Sequence, residues 1–357
     1  MNVNVLILGK SGAGKSTLLN YLWGEKIAEA GIGKPVTPKE TKDSVGLYES
    51  PPVSLNGHSL TVFDSWGMEA DKAEEWLRTL MPEMKKRELS PSVEDWFHAV
   101  IYCVGASGAR LEPFETEVAR QLQRAGHTVV FALTKAGRAS QTELAALQRT
   151  IREDCPDNGG IVEVESRNVV LRNGETTNAR GKEELTDALT KNLAKKLKYK
   201  LAVLYPETYN RHCASWKAAT LDRYDREAGF FTPTAVTMSK VGPFAQARLE
   251  SLFSQMNTWL NKAISDLESF QEAFDETIGV IHRENVPVMK AQNAKDKIVW
   301  DTAEYATLTL VSLIPGLNIA YMFVATDMHK DRLSEKLDGI ISKIRVEAET
   351  YIRGRLL

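Results

Sequence analysis

Four apolar residues, Val5-Leu6-Ile7-Leu8, run straight into Gly9-Lys10-Ser11-Gly12-Ala13-Gly14-Lys15-Ser16, and the chain continues as Thr17-Leu18-Leu19. A buried strand, a turn with the pattern GxxxxGK[ST] and a helix, in that order, make a phosphate-binding loop. The glycines let successive backbone N–H groups point inward, and the following helix turns the positive end of its dipole toward the same anion. Lys15 is expected to reach the β- and γ-phosphates of a nucleotide, and Ser16 to hold Mg²⁺. The residues from Gly9 to Thr17 are the candidate phosphate contacts.

A chain of 357 residues, 43% hydrophobic and 26% charged, has the composition of a soluble globular protein of about two domains. Its formal net charge of -2 leaves no electrostatic footprint for general nucleic-acid binding. Cys103, Cys155 and Cys213 lack metal-ligand spacing and read as reduced thiols, which points to the cytosol. The N-terminus has neither the charged nor the apolar region of an export signal, so export is not expected.

After the loop, Ser16 to Trp23 reads as a helix, and Gly24 to Glu49 is polar and irregular. It contains Gly-Lys-Pro-Val-Thr-Pro, and a Thr on a flexible loop some twenty residues past a phosphate loop can close on the γ-phosphate and Mg²⁺. Thr37 is the candidate, with Thr41 the alternative. Val45 to Tyr48 and Ser59 to Phe63 read as strands, with Asn56-Gly57 between them as a hairpin signal. The second strand ends in Asp64-Ser65-Trp66-Gly67, a DxxG pattern. Asp64 is expected to act on the metal through a bound water, and Gly67 to pivot when the γ-phosphate leaves.

Trp76 to Met84 and Val93 to Phe97 read as helical, and Ala99 to Val104 as a buried strand. Phe114, Val118 and Leu122 mark an amphipathic helix ended by Gly126, and Val-Val-Phe-Ala-Leu-Thr-Lys completes another strand-to-loop step. This alternation implies an α/β fold: a mostly parallel sheet flanked by helices, with its ligand at the strands' C-terminal ends.

With these motifs in place, residues 1–198 resemble the G domain of P-loop GTPases of the translation-factor-related class, nearest the Era-like, dynamin-like and immunity-related branches. Gly9 to Ser16 resemble that family's first motif, Thr37 its second, Asp64 to Gly67 its third, and Thr134-Lys135 the start of its fourth, [NT]KxD. Ser166-Arg167 resemble the short fifth motif, which contacts the base through backbone, and Gly181, Leu185 and Leu189 the closing helix. The resemblance implies Mg-dependent binding of GTP and GDP, with Lys15, Thr37 and Gly67 catalytic and Ser16, Thr37 and Asp64 around the metal. It also implies that Lys135 covers the base with its aliphatic stem and that Thr134 braces the loops.

Two positions depart from the family pattern. Where the fourth motif has an Asp that accepts hydrogen bonds from guanine N1–H and the 2-amino group, this chain has Gly137. Either base selection is relaxed or a carboxylate from a neighbouring loop takes over, with Asp154 and Asp157 the candidates. After DxxG, where some relatives have a water-orienting Gln, stands Met68, then Glu69, and a thioether cannot orient water. Catalysis then calls on another loop, a partner chain or a potassium ion, and slow hydrolysis that rises on self-association is the expectation. Arg110 and Lys34 can supply a cation or sit as solvated charges.

From Lys191 the pattern becomes helical almost to the end, with a domain boundary expected near 198 and Lys195 to Lys200 as connector or continuous helix. Ala202 to Tyr224 reads as a helix, Gly229 to Pro233 as a break, and Phe244 to Arg283 as a helix with an apolar stripe suited to a bundle core. Tyr305 to Thr326 is uncharged but interrupted by Pro315-Gly316 and Asn318, which favours a hairpin buried in the bundle over a membrane-touching tip. Asp301, Glu304 and Asp327 flank it with acid where lipid headgroups favour base. His329 to Arg353 is the last amphipathic helix.

The expectation is an α/β nucleotide domain over 1–198, then an all-α domain over 199–357 that offers a homodimer or protein-partner surface. Two other readings stay open: a nucleotide-gated scaffold with negligible hydrolysis, and a dynamin-like membrane-associated GTPase.

Overall fold

The computed structural model describes residues 2–24, 47–55, 57–65, 73–107, 110–170, 176–229, 232–274 and 319–356. Strand β1 (Asn2–Gly9) leads into helix α1 (Lys15–Trp23), followed by β2 (Leu47–Glu49), β3 (Val53–Leu55), β4 (His58–Ser65) and α2 (Ala73–Glu88). Then come β5 (Ala99–Gly105), α3 (Pro113–Arg124), β6 (Val129–Thr134), α4 (Gln141–Asp154) and β7 (Gly160–Val164). A small hairpin, β8 (Val169–Val170) and β9 (Thr176–Thr177), precedes α5 (Lys182–Thr190), α6 (Leu193–Glu227), α7 (Thr234–Ala273) and α8 (Ile319–Leu356). This is the α/β sheet followed by helices that the motif order implies.

Among the described residues seven strands form one sheet in the order β2-β4-β1-β5-β6-β7, with β3 also on β4. β4, β1, β5, β6 and β7 run parallel, so their C-terminal ends share one edge. Strands covered on both faces read as unbroken apolar runs, and Val3 and Val5 to Leu8 are all fully buried. Leu6 and Leu8 point into a core shared with Trp76, Leu80 and Met84 of α2 and Val118 and Leu122 of α3. Each such aliphatic side chain contributes roughly 1.5–3 kcal/mol of burial.

Two local expectations give way to specific causes. The Asn56-Gly57 signal belongs to a hairpin between β3 and β4, because Pro51-Pro52 splits the incoming chain into two short strands. Proline cannot donate to the ladder, and the register on β4 shifts by one residue across it. Val93 to Phe97 makes only a single 3₁₀ turn at Val93–Asp95. The Asp266 carboxylate accepts the Val93 N–H (2.9 Å) and the Ser92 hydroxyl (3.0 Å), and Trp96 and Phe97 already lead into β5.

The described residues form two compact units, 2–201 with 263–274, and 202–262 with 319–356. The last turns of α7 therefore sit with the sheet, beyond a cut near 198: Asp266 caps the Val93 turn, and Phe270 packs on His98 with ring centroids 4.8 Å apart. In the second unit, Tyr205, Tyr209, Cys213, Trp216, Thr220 and Tyr224 of α6 are buried at three- and four-residue steps. Trp216 Nε1 donates to Ala245 O at 2.8 Å, and Lys217 and Lys330 pair with Asp338 and Asp225 at 2.6 and 2.8 Å. The two ion pairs set α8 antiparallel to α6, and the Glu227–Lys240 pair at 2.7 Å together with the Trp216–Ala245 bond does the same for α7. Helix α6 is continuous through Lys195 to Lys200 and past Pro206, and α7 begins at Thr234 and runs past Pro243. Residues 275–318, with most of the apolar Tyr305 to Thr326 segment, lie outside the described residues, and 319–326 open α8. Among the described residues no helix is long and apolar enough to cross a membrane.

Buried titratable groups tie the first unit to pH. His98 Nδ1 accepts the Asn4 N–H at 2.7 Å and Nε2 lies 2.8 Å from Val93 O, so the ring is the neutral tautomer with Nε2–H donating. Burial pushes its pKa down to about 3. Burial raises Glu88, but Lys200 and His127 outweigh it and hold the carboxyl at about 2. A group whose folded pKa lies below its unfolded value adds stability that is present above the unfolded pKa and lost as pH falls toward the folded one. Stability should therefore begin to drop near the unfolded His pKa of about 6.5, by about 1.4 kcal/mol per pH unit from His98 alone, and more steeply once Glu88 joins below about 4.5. Urea midpoints at pH 7.5, 5.5 and 4 test this, and a flat profile from 7.5 to 5.5 would contradict it.

Candidate functional site

The loop between β1 and α1 hangs on two glycines for different reasons. At Gly9, φ is +140° and an added Cβ would lie 2.4 Å from Cys103 O, so strand β5 leaves no room for a side chain. Gly14 has φ +93° and starts α1 with the left-handed turn that only glycine adopts freely. Lys15 is 6% exposed and curls back over the loop, its Nζ donating to Gly9 O at 2.9 Å and Lys10 O at 3.1 Å. Burial lowers its pKa, and the Asp64 carboxylate partly opposes this. Cys103 beneath the loop is pushed up to about 12 by burial and is an inert thiol.

Parallel pairing of β1 with β4 sets Asp64 beside Ile7, and the Ser65 hydroxyl fixes that end by donating to Ile7 O at 2.9 Å. Asp64 is fully buried, and the Ser16 hydroxyl donates to its Oδ2 at 3.1 Å. A hydroxyl and a carboxylate thus meet at the first turn of a helix, beside the inward amine of Lys15. Oxygen ligands on that scale suit Mg²⁺, which is held by one or two protein groups plus phosphate oxygens and water. A desolvated ammonium whose partners are two backbone carbonyls is likewise placed for an anion, so the residues fit an Mg²⁺-phosphate group. Among the described residues no cluster of three or more His, Cys, Asp or Glu is spaced to hold a metal by itself.

Of the other sequence candidates, Thr134 and Lys135 join the loop from the end of β6. The Thr134 hydroxyl donates to Ala13 O, and Lys135 Nζ donates to Gly12 O at 2.8 Å from a left-handed backbone with φ 58°. Ser166 is half-buried and Arg167 exposed, just past the end of β7. Thr37, Gly67, Lys34, Met68 and Glu69 lie outside the described residues, and Arg110 is exposed. Asp154 and Asp157 precede β7, at the sheet edge opposite Thr134, and Asp154 pairs with Arg120 at 3.4 Å. They are too far along the strand to serve the loop.

Sequence reasoning missed two acidic residues. Glu112 caps α3 and pairs with Lys10 of the phosphate loop at 2.8 Å. Glu165, 3% exposed, accepts the Gly137 N–H at 3.0 Å. The available signal was its place directly after the last apolar residue of β7, which the register sets beside Thr134.

A family model for ABC transporters matches residues 2–96, roughly a quarter of the chain and the part that contains the loop. Among solved structures the chain is similar to Toc33 from Arabidopsis thaliana in complex with GDP and Mg²⁺, at 18% identity over 54% of this chain and 84% of that one, with a TM-score of 0.36. It is similar to Era from Aquifex aeolicus bound to GDP and AlF₄⁻, at 19% identity over 57% and 67%, with a TM-score of 0.37. It is similar to a bacterial selenocysteine-specific elongation factor at 18% identity, covering 53% of this chain and 28% of that one, with a TM-score of 0.36. No curated protein sequence matches it.

Proposed function

We propose that this chain binds GTP with Mg²⁺ and hydrolyses it to GDP and phosphate, with residues 1–198 as nucleotide domain and residues 199–357 as a helical effector domain. The observation that carries the reading is the convergence of Lys15, Ser16 and Asp64: a buried amine, a hydroxyl and a buried carboxylate within one loop and the adjacent strand end.

In this reading the backbone N–H groups from Gly9 to Thr17 cradle the phosphates, and Lys15 exchanges its two carbonyl partners for β- and γ-phosphate oxygens. Ser16, Asp64 and Thr37 are the residues that would hold the metal, which would supply positive charge to offset that of the phosphates. Thr134 fixes the loop from behind, Lys135 lays its stem along the base, and Ser166-Arg167 close the base side. Thr37 and Gly67 are the groups whose segments change shape when the γ-phosphate departs, and the helical domain is the element they bias. Self-association supplies what the Met68 position does not.

Calorimetric titration with a non-hydrolysable GTP analogue tests the site. Removing Mg²⁺ should weaken binding about tenfold or more, and Asp64→Asn should abolish most of that dependence. An affinity indifferent to both changes would refute the metal assignment. Phosphate release per molecule that stays flat across protein concentrations would count against activation by self-association.

A further inference from the structure

The geometry points to Glu165 as the residue that selects a guanine base, a role that rests on the nucleotide reading above and sharpens it. Parallel pairing of β6 and β7 sets Thr134 opposite Val164, so Lys135 and Glu165 leave the same sheet edge side by side. Lys135 is tied to Gly12 of the phosphate loop, and Glu165 to the backbone of Gly137 two residues after it. The carboxylate therefore sits at the end of the site away from the phosphates and next to the lysine whose stem flanks the base.

Position 137 is a glycine for a steric reason. A Cβ there would lie 2.8 Å from the Thr177 methyl and 3.0 Å from Glu165 Oε2. The volume that a side chain at 137 would enter already holds the Glu165 carboxylate. The acid is carried by the residue that follows β7 in place of the loop after β6.

The chemistry of recognition follows from what a carboxylate offers. It accepts only, through about four lone-pair positions, and the Gly137 N–H uses one. Guanine presents two adjacent donors, N1–H and the 2-amino group, which a single carboxylate accepts together in a charge-assisted pair. Adenine presents a lone pair at N1 and no 2-amino group, so it meets the carboxylate acceptor to acceptor. Hypoxanthine keeps only N1–H. Xanthine pairs N1–H with a carbonyl at position 2, which a carboxylate repels and an amide matches.

Titration of the full chain, with Mg²⁺, by GDP, IDP, XDP and ADP reads this directly. The expected order is GDP first, IDP weaker, and ADP and XDP weaker still. Glu165→Gln should lower GDP affinity about 10- to 100-fold, raise XDP above GDP and leave ADP little changed. Glu165→Asp should retain the GDP-over-XDP order at reduced affinity, which a purely structural role for the Gly137 contact would not produce. Equal affinities for GDP and ADP in the unaltered chain would overturn the assignment, as would a Glu165→Gln variant that weakens all four nucleotides equally; both leave the phosphate site intact. Failure of all four to bind the unaltered chain would overturn the nucleotide reading and the assignment with it. Should Glu165→Gln not fold, the GDP, IDP and XDP series on the unaltered chain still decides.

Discussion

Lys15→Met should remove nucleotide binding while leaving the empty protein as stable as before, or slightly more stable. The Lys15 amine is buried under the loop and donates to two backbone carbonyls. Carbonyl dipoles compensate a desolvated cation only in part, and burial already disfavours its charged form. Methionine follows the same unbranched path without the charge, so the volume stays filled. With a nucleotide present the balance reverses. Two charge-assisted hydrogen bonds to phosphate, at about 1.5–3 kcal/mol each, make the loss about 10²- to 10⁴-fold in affinity. Calorimetry with GDP and Mg²⁺, beside urea unfolding of the ligand-free protein, measures both halves. A loss of stability beyond about 2 kcal/mol would recast Lys15 as a structural brace, and retained affinity would remove it from the phosphate site.

Local backbone chemistry explains why that site was legible in the sequence. A strand, a glycine turn and a helix start are adjacent in the chain, and the glycines at positions 9 and 14 stand where contact with Cys103 and a left-handed turn demand them. The same holds for Asp64, because a DxxG pattern ends a strand and parallel pairing with β1 brings it to Ser16. What stayed illegible depends on long-range register. Glu165 gains its partner from a loop 28 residues away, and its place directly after the last apolar residue of β7 acquires meaning only once β6 and β7 are aligned. The division of the chain was hidden in a similar way. The apolar stripe of α7 is one helical pattern, yet Asp266 and Phe270 at its end turn to the sheet through contacts with residues more than 170 positions earlier.

Lys200 is the sharpest case of a residue whose composition misleads, and replacing it should produce the largest loss of stability. Lys195 to Lys200 reads as a Lys-rich connector or continuous helix, with nothing in it to single this residue out, but Lys200 is 1% exposed. Its Nζ donates to Phe97 O at 2.8 Å and lies 2.9 Å from Glu88 Oε1 and 3.2 Å from His127 Nδ1. His127 Nε2 meets the same Glu88 oxygen at 3.0 Å, and burial holds the ring neutral, so it accepts from Lys200 and donates to Glu88. The triangle satisfies one buried cation and one buried anion. Lys200→Met leaves Glu88 charged, buried and paired only with a neutral ring, and breaking such a pair costs about 3–5 kcal/mol. Adding Glu88→Gln removes the stranded charge and keeps a hydrogen-bonding partner for His127, so the double variant should recover at least half of the loss. Urea unfolding of the four proteins gives the coupling energy, and a double variant no better than Lys200→Met would refute the pairing. The network lies at the N-terminal starts of β5 and β6, across the sheet from the loop after β1. The affinity of the folded Lys200→Met protein for GDP should therefore match that of the unaltered chain, the reverse of the outcome at Lys15.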